Sequence, residues 1–411
     1  MSAVDSEEFG DAFPSIPGTN VSLISFQNIG RQPRHFNDDK ALSTSTAFAK
    51  SQVDVALYAE HGLNESKLTP GDLFNARMRG KSLCSYSYIS NNTNEDSDWR
   101  QYGGTGITMS PLFRSHHISH GSDPTKLGRW THARFRGSAN TTIRMIAAYR
   151  PCNSDDGIDT VWNQHVRYFQ EHDNIANPNP VALFDRDLLD EMKRWLEMGD
   201  SIVLGIDVNG DVRPSFDDRR SVEFVSALVT MGLRDAVLSL HPSLPPPATQ
   251  NRNQNRVPID AIWVSRNVVV NRAGFSPFGG DLACVSDHRM LWVELDNSSI
   301  LGKFLPCPRK QILASKVKSD DPRSRRLYYR RIRERYAQSS IGLRVTKLKT
   351  KIHRYVAGDL SLLPGIIEEF RSTKTDAIAI SKDVADYLRT MYNDGCPWSP
   401  RIKKLRATIG Y

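Results

Sequence analysis

Carboxylate, amide and imidazole side chains recur in this sequence just beyond short β-branched runs. Asn28 follows Val21–Phe26, Glu60 follows Val53–Ala59, and Asp207 and Asn209 follow Ile202–Ile206. Ile259 leads into Asp260, and Ser286-Asp287-His288 leads into Met290–Leu295. Residues just past strand ends are where α/β sheets commonly place ligands. Hard oxygen donors with few dedicated protein ligands suit Mg²⁺, which keeps several waters and borrows oxygen from a phosphate. Any one such Asp is ordinary turn chemistry. The combination points to a shared site.

The elements that must position these residues are legible as pattern. Val21–Phe26, Val53–Ala59, Thr105–Met109, Ile143–Tyr149, Ile202–Ile206, Ile259–Val264 and Met290–Leu295 have the length and β-branched content of strands. Helical spacing predicts helices at Ile158–Phe169, Leu188–Met198 and Ser221–Met231, with Gly232 as a C-terminal stop. Strands alternating with helices imply an α/β or α+β domain, and no period of repeat-protein length recurs. Asn91–Gly104 and Pro242–Arg256 read as surface loops, and residues 1–19, with Pro14, Pro17 and Gly18, as a mobile leader. Beyond residue 296 the character changes: Ser324–Val356 and Lys382–Tyr392 read as helices rich in Arg, Lys and Leu.

Other conspicuous residues have plainer readings. His116, His117, His120 and His132 lack the Cys or carboxylate pattern of a zinc site and read as a polar loop. Gly103-Gly104-Thr105-Gly106 is a turn entering a strand, since no Lys-Ser/Thr follows to make a phosphate loop. Trp99, Trp130, Trp162 and Trp195 read as core or loop anchors rather than base-stacking platforms. Cys84, Cys152, Cys284, Cys307 and Cys396 are odd in number and widely spaced, as reduced thiols would be.

Composition sets the outer bounds. The 411 residues are 39% hydrophobic and 24% charged, enough apolar content for a sizeable core. No apolar run approaches the length of a membrane span. Asp5, Glu7, Glu8 and Asp11 stand where a secretory signal would carry basic and apolar residues, so an intracellular and nuclear location is expected. Residues 297–411 hold 25 Lys and Arg against 10 Asp and Glu, a balance of +15. The whole chain carries +8, which leaves −7 on residues 1–296. An acidic body with a basic tail signals a polyanionic partner. The tail is densest where Arg323, Arg325, Arg326, Arg330 and Arg331 surround Tyr328 and Tyr329. Those groups offer phosphate contacts with aromatic stacking between them; a solvated amphipathic helix or a nuclear-import signal are the other readings of such a run.

Asn28, Glu60, Tyr149-Arg150-Pro151, Asp207-Val208-Asn209, Asp260-Ala261-Ile262-Trp263 and Ser286-Asp287-His288 resemble, in order and spacing, the motifs of the endonuclease/exonuclease/phosphatase superfamily. Pro247-Ala248-Thr249 and Arg256-Val257-Pro258-Ile259-Asp260 look closer still to the endonuclease domains of non-LTR retrotransposons. The resemblance implies an α+β fold, a four-layer α/β sandwich of two packed β-sheets flanked by helices over residues 20–296. Residues 297–411 would then be a basic, mainly helical extension resembling the linker toward a reverse transcriptase, with no Tyr/Phe-x-Asp-Asp motif within it. The implied activity is a Mg²⁺-dependent phosphodiester hydrolase (Mn²⁺ as substitute) that nicks DNA. A phosphatase of the same fold, or a non-catalytic nucleic-acid-binding remnant, is the alternative. Carried over by position, Glu60 would ligate the metal with Asn28 and Asp287. Asp207 would orient or deprotonate the attacking water, and Asn209 and Tyr149 would hydrogen-bond the phosphate. His288 would contact the scissile phosphate, kept cationic by Asp260. Gly30 stands where the abasic-site enzymes carry another acidic residue, and Cys152 where many relatives have Asn. DNA is the expected partner, with no membrane and no small-molecule cofactor beyond the metal.

Overall fold

A computed structural model describes residues 8–14, 20–35, 39–79, 86–95, 97–137, 140–152, 157, 159–213, 219–251, 257–279, 282–302 and 340–372. The chain divides into two compact units, Met1–Arg309 and Lys310–Tyr411.

In the first unit the strands are β1 (Phe9–Gly10), β2 (Val21–Asn28), β3 (Val55–Ala59), β4 (Tyr86–Ser90), β5 (Thr105–Met109), β6 (His117–Ser122) and β7 (Trp130–Arg136). They continue with β8 (Thr142–Tyr149), β9 (Asp200–Asp207), β10 (Leu233–Asp235), β11 (Asp260–Ser265), β12 (Val270–Phe275) and β13 (Leu291–Asp296). A 7-stranded sheet runs β1-β12-β13-β2-β3-β5-β4, and a 6-stranded sheet runs β10-β11-β9-β8-β7-β6. Each sheet holds one parallel pair, β2 with β3 and β8 with β9, among antiparallel neighbours.

The apolar runs explain the layering. Strands buried on both faces read as nearly continuous hydrophobic stretches, as Ile202–Ile206 of β9 does. β2 is equally buried but interleaves Ser22, Ser25 and Gln27 with its apolar residues. Ile24, Phe26, Val55 and Leu57 from one sheet share a core with Met145, Val203 and Ile262 from the other. The opposite face of the second sheet, with Ile202, Leu204 and Ile206, packs against Phe184, Leu188 and Trp195 of helix Pro180–Glu197 and Phe224 of helix Arg219–Thr230. The outer face of the first sheet, with Leu23 and Tyr58, covers Ala47 and Phe48 of helix Asp39–Ser51. Helices, sheet, sheet and helices make the expected four-layer sandwich. Gly205 fixes how close the sheets come, because a Cβ there would stand 2.6 Å from the Phe26 ring.

Several expectations need correction. Phe9–Gly10, assigned to a mobile leader, pairs with Phe275 and Gly274 at a sheet edge, and the Phe9 ring packs 5.0 Å from Phe275. His117–Ser122 is not a loop but an edge strand paired with β7. Its side chains are partly or fully exposed, so it lacks the apolar alternation that marks a buried strand. The first unit also extends past residue 296: Ile300 and Leu301, buried against the central core, follow from the short helix Asn297–Ile300.

In the second unit, helices Ser340–Ala357 and Leu363–Ser372 flank a turn at Leu360–Leu362. Leu348, Ile352, Tyr355 and Val356 are buried at the spacing of one face of the first helix, and Ile366 of the second is buried too. Lys347, His353 and Arg354 are exposed. Arg323, Arg325, Arg326, Arg330 and Arg331, Lys382–Tyr392 and Asn153 lie outside the described residues.

Candidate active site

Strand direction and register bring the motifs to one end of the sandwich. β2 and β3 run parallel with Asn28 opposite Ala59, so Asn28 and Glu60 emerge side by side. β8 and β9 run parallel with Tyr149 opposite Asp207. β11 is antiparallel to β9 and starts with Asp260 opposite Asp207. His288 precedes β13, which pairs antiparallel with β2, so it returns to the end where Asn28 lies.

Local structure then aims the side chains. Glu60 sits in left-handed backbone, φ 56°, held by its N–H on the Gly104 carbonyl at 2.7 Å. Such a conformation is costly for a non-glycine residue and collects at functional sites. Asn209 is also left-handed, φ 51°, with its N–H on Asp207 Oδ1 at 3.0 Å and its Nδ2 on the Arg150 carbonyl at 2.6 Å. The Tyr149 hydroxyl meets the Asn209 side chain. Arg150 clasps Asp185 through Nε and Nη2, each at 2.7 Å, and its Nη1 reaches the Val208 carbonyl at 3.3 Å, which pins the Asp207-Val208-Asn209 turn.

Asn28 Nδ2 bridges Glu60 Oε2 at 3.0 Å and Asp207 Oδ2 at 2.8 Å, while its Oδ1 accepts the Gly30 N–H at 2.9 Å. In this arrangement Asn28 orients two carboxylates through its nitrogen, and its oxygen keeps one lone pair beyond the Gly30 bond. His288 Nδ1 lies 2.8 Å from Asp260 Oδ2, both residues buried. Burial alone would lower the His288 pKa, but Asp260, through its charge and hydrogen bond, and the Asp207 and Asp287 charges carry it up to about 10. His288 is therefore an imidazolium at neutral pH. Asp207 moves up to about 7, from burial first and then from the facing Asp260 charge, against the pull of His288 and the Asn28 and Asn209 hydrogen bonds. Like charges directly opposite across a strand pair repel, and His288 is what makes that pairing tolerable.

The sequence matches no family model and no curated protein. Solved structures similar to it include an endonuclease/exonuclease/phosphatase family protein from Leptotrichia buccalis, 12% identical, covering 67% of this chain and 99% of that one at a TM-score of 0.44. An AP endonuclease from Archaeoglobus fulgidus is 14% identical, covering 67% and 99% at a TM-score of 0.46. The endonuclease domain of TRAS1, a telomere-specific non-LTR retrotransposon, is 13% identical, covering 69% and 100% at a TM-score of 0.39.

The structure thus gathers Asn28, Glu60, Tyr149, Asp207, Asn209, Asp260 and His288, with Asp287 half-buried beside them and acting on His288 by charge. Sequence reading assigned no role to the groups that hold them. Thr249 Oγ1 accepts the Ile259 and Asp260 N–H groups at 2.9 and 3.1 Å, which fixes the start of β11. Gln27 Nε2 donates to the Cys284 and His288 carbonyls at 3.1 and 2.9 Å and carries the His288 turn. Thr249 lay within the retroelement-like segment and Gln27 within a strand, so motif spacing alone gave Gln27 no signal. Lys40, whose charge acts on Asp287 and Glu60, also went unread.

Among the described residues, Asp207, Asp260 and His288 each offer a ligand atom within 4.8 Å of the others. The Asp260 hydrogen bond takes up His288 Nδ1, and the trio can also handle charge and protons. The wider donor set does fit a divalent cation. Asn28 bridges the Glu60 and Asp207 carboxylates, Asp287 acts on His288 by charge, and the buried Asp260 Oδ1 has no hydrogen-bond partner among the described residues. Hard oxygens with room for water are what Mg²⁺ takes.

Proposed function

We propose that this chain is a divalent-cation-dependent phosphodiesterase that nicks DNA, of the kind found in non-LTR retrotransposon endonuclease domains. The observation that carries the reading is the buried Asp260–His288 ion pair set against Asp207 at the end of the sandwich where Glu60 is held in left-handed backbone. Glu60 and Asp287 would hold Mg²⁺ or Mn²⁺, with Asn28 orienting Glu60; such an ion supplies charge neutralisation at the phosphoryl group and a more acidic water. His288 offers a positive N–H donor to a phosphate oxygen, where charge builds in an in-line displacement. Asp207, when ionised, orients or deprotonates the attacking water. Tyr149 and Asn209 stand together as donors for the same phosphate. The Thr249 contact to Asp260 gives the Pro247-Ala248-Thr249 segment a physical task and supports the retroelement reading.

A labelled duplex incubated with Mg²⁺ is expected to yield a nick bearing a 3′-hydroxyl, with no product in excess chelator. Release of inorganic phosphate from a terminal phosphomonoester, with the duplex uncut, would point to a phosphatase instead.

The basic second unit supplies DNA affinity in this reading. Each neutralised phosphate contributes about −0.9 to the slope of log affinity against log salt, and such contacts position without reading bases. Deletion of residues 310–411, which leaves Ile300 and Leu301 in the core, is expected to weaken binding across sequences and flatten that slope by several units. An unchanged slope would assign the second unit to a protein partner.

A further inference from the structure

Lys40 is out of place by local physics. It is the second residue of helix Asp39–Ser51, where the helix dipole disfavours a cation, and it is half-buried. Its Nζ lies 3.3 Å from the point where a Cβ on Gly30 would stand, and Ser286 Oγ lies 3.9 Å from the same point. Gly30, at φ 52°, has left-handed backbone that resists any side chain, so the space above it stays open to the ammonium group. Burial pushes the Lys40 pKa down; the Asp287, Cys284 and Glu60 charges work against that, and Arg31 adds to it. Both carboxylates belong to the set that would hold the divalent ion.

We propose that the Lys40 ammonium is a built-in cation of the active site, seated over Gly30, that competes with the divalent ion for Glu60 and Asp287. The proposal rests on the reading that the cleft binds a divalent cation. Lys40 takes part of the negative charge that would otherwise draw the metal, so the ion binds more weakly and the cleft is not left with an uncompensated cluster of carboxylates without it. An ammonium group also brings three N–H donors that can meet a phosphate oxygen on the Gly30 side.

The test is a titration of the full chain with Mn²⁺, free ion read by electron paramagnetic resonance and without DNA. Lys40→Gln is expected to bind Mn²⁺ about tenfold tighter or more, as loss of one charge near a divalent ion in a partly buried site implies. Lys40→Arg keeps the charge and should stay near wild-type affinity, and Glu60→Gln should lose binding. A second Mn²⁺ bound by Lys40→Gln would support the same conclusion. If Lys40→Gln binds as wild type does, or more weakly, while Glu60→Gln fails to bind, the Lys40 proposal is overturned and the metal reading stands. If neither wild type nor Lys40→Gln binds Mn²⁺, the metal reading falls and takes this proposal with it.

Discussion

Asp207→Asn is expected to lower DNA cleavage by about 10³-fold while leaving the protein as stable as wild type, or more so, at pH 8. The rate falls because an amide can neither take a proton from water nor present a full negative charge to it. Stability moves the other way. Asp207 faces Asp260 across β9 and β11 and is raised to about 7 from the ordinary 3.8, so the folded state prefers it protonated. Its contribution is fully present below pH 3.8 and is lost as pH rises through about 7. Ionisation therefore costs the wild type on the order of 4 kcal/mol above that range. Asparagine escapes the cost but gives up one of two accepted hydrogen bonds, those from Asn28 Nδ2 and the Asn209 N–H, worth roughly 1 kcal/mol. Thermal melts at pH 8 check the balance. A variant that melts well below wild type would show that Asp207 serves the fold rather than the chemistry.

Asp260→Asn and His288→Ala are each expected to depress turnover about 10²–10⁴-fold. They act as one unit, so the double variant should be little worse than the worse single. The reason is in the pair itself. Burial disfavours a charged His288, and Asp260 is the leading partner that overcomes it. With asparagine at 260 the burial effect gains ground, and the imidazole becomes easier to deprotonate. Ring-proton chemical shifts of His288 across a pH series would report that fall directly. The pair also marks the pH dependence of folding. Because His288 titrates at about 10 folded against 6.5 ordinarily, its stabilisation is complete below pH 6.5 and is lost as pH rises through 10. His288→Ala should lack that alkaline decline. Multiplicative losses of rate in the double variant would show that the two groups act separately.

The strands that carry the site were the most legible part of the chain. Val21–Asn28, Asp200–Asp207 and Leu291–Asp296 are buried on both faces, so their apolar residues stand out and their ends place Asn28, Asp207 and His288. Edge strands were not legible. Tyr86–Ser90 and His117–Ser122 each have one paired side, the first is half-buried and the second partly or fully exposed, and nothing in their sequence demands alternation. Helix Pro180–Glu197 starts earlier than apolar spacing predicts because Asn179 caps it and Pro180 occupies its first turn. Within the site, residue types at strand ends announced the carboxylates and His288. The orientation of Asn28, with nitrogen rather than oxygen toward Glu60, depends on the Gly30 N–H and is a matter of geometry alone. Lys40 is distant in sequence from every motif it serves, and only the bare Gly30 brings it into the cleft.

Conversion of supercoiled plasmid to the open-circular form tests the central claim most directly. Wild type with Mg²⁺ is expected to produce open circles that ligase reseals, and Asp207→Asn or wild type in excess chelator is expected to leave the plasmid supercoiled. Nicking that persists undiminished in Asp207→Asn, or the absence of any nicking by wild type with Mg²⁺ or Mn²⁺, would contradict it.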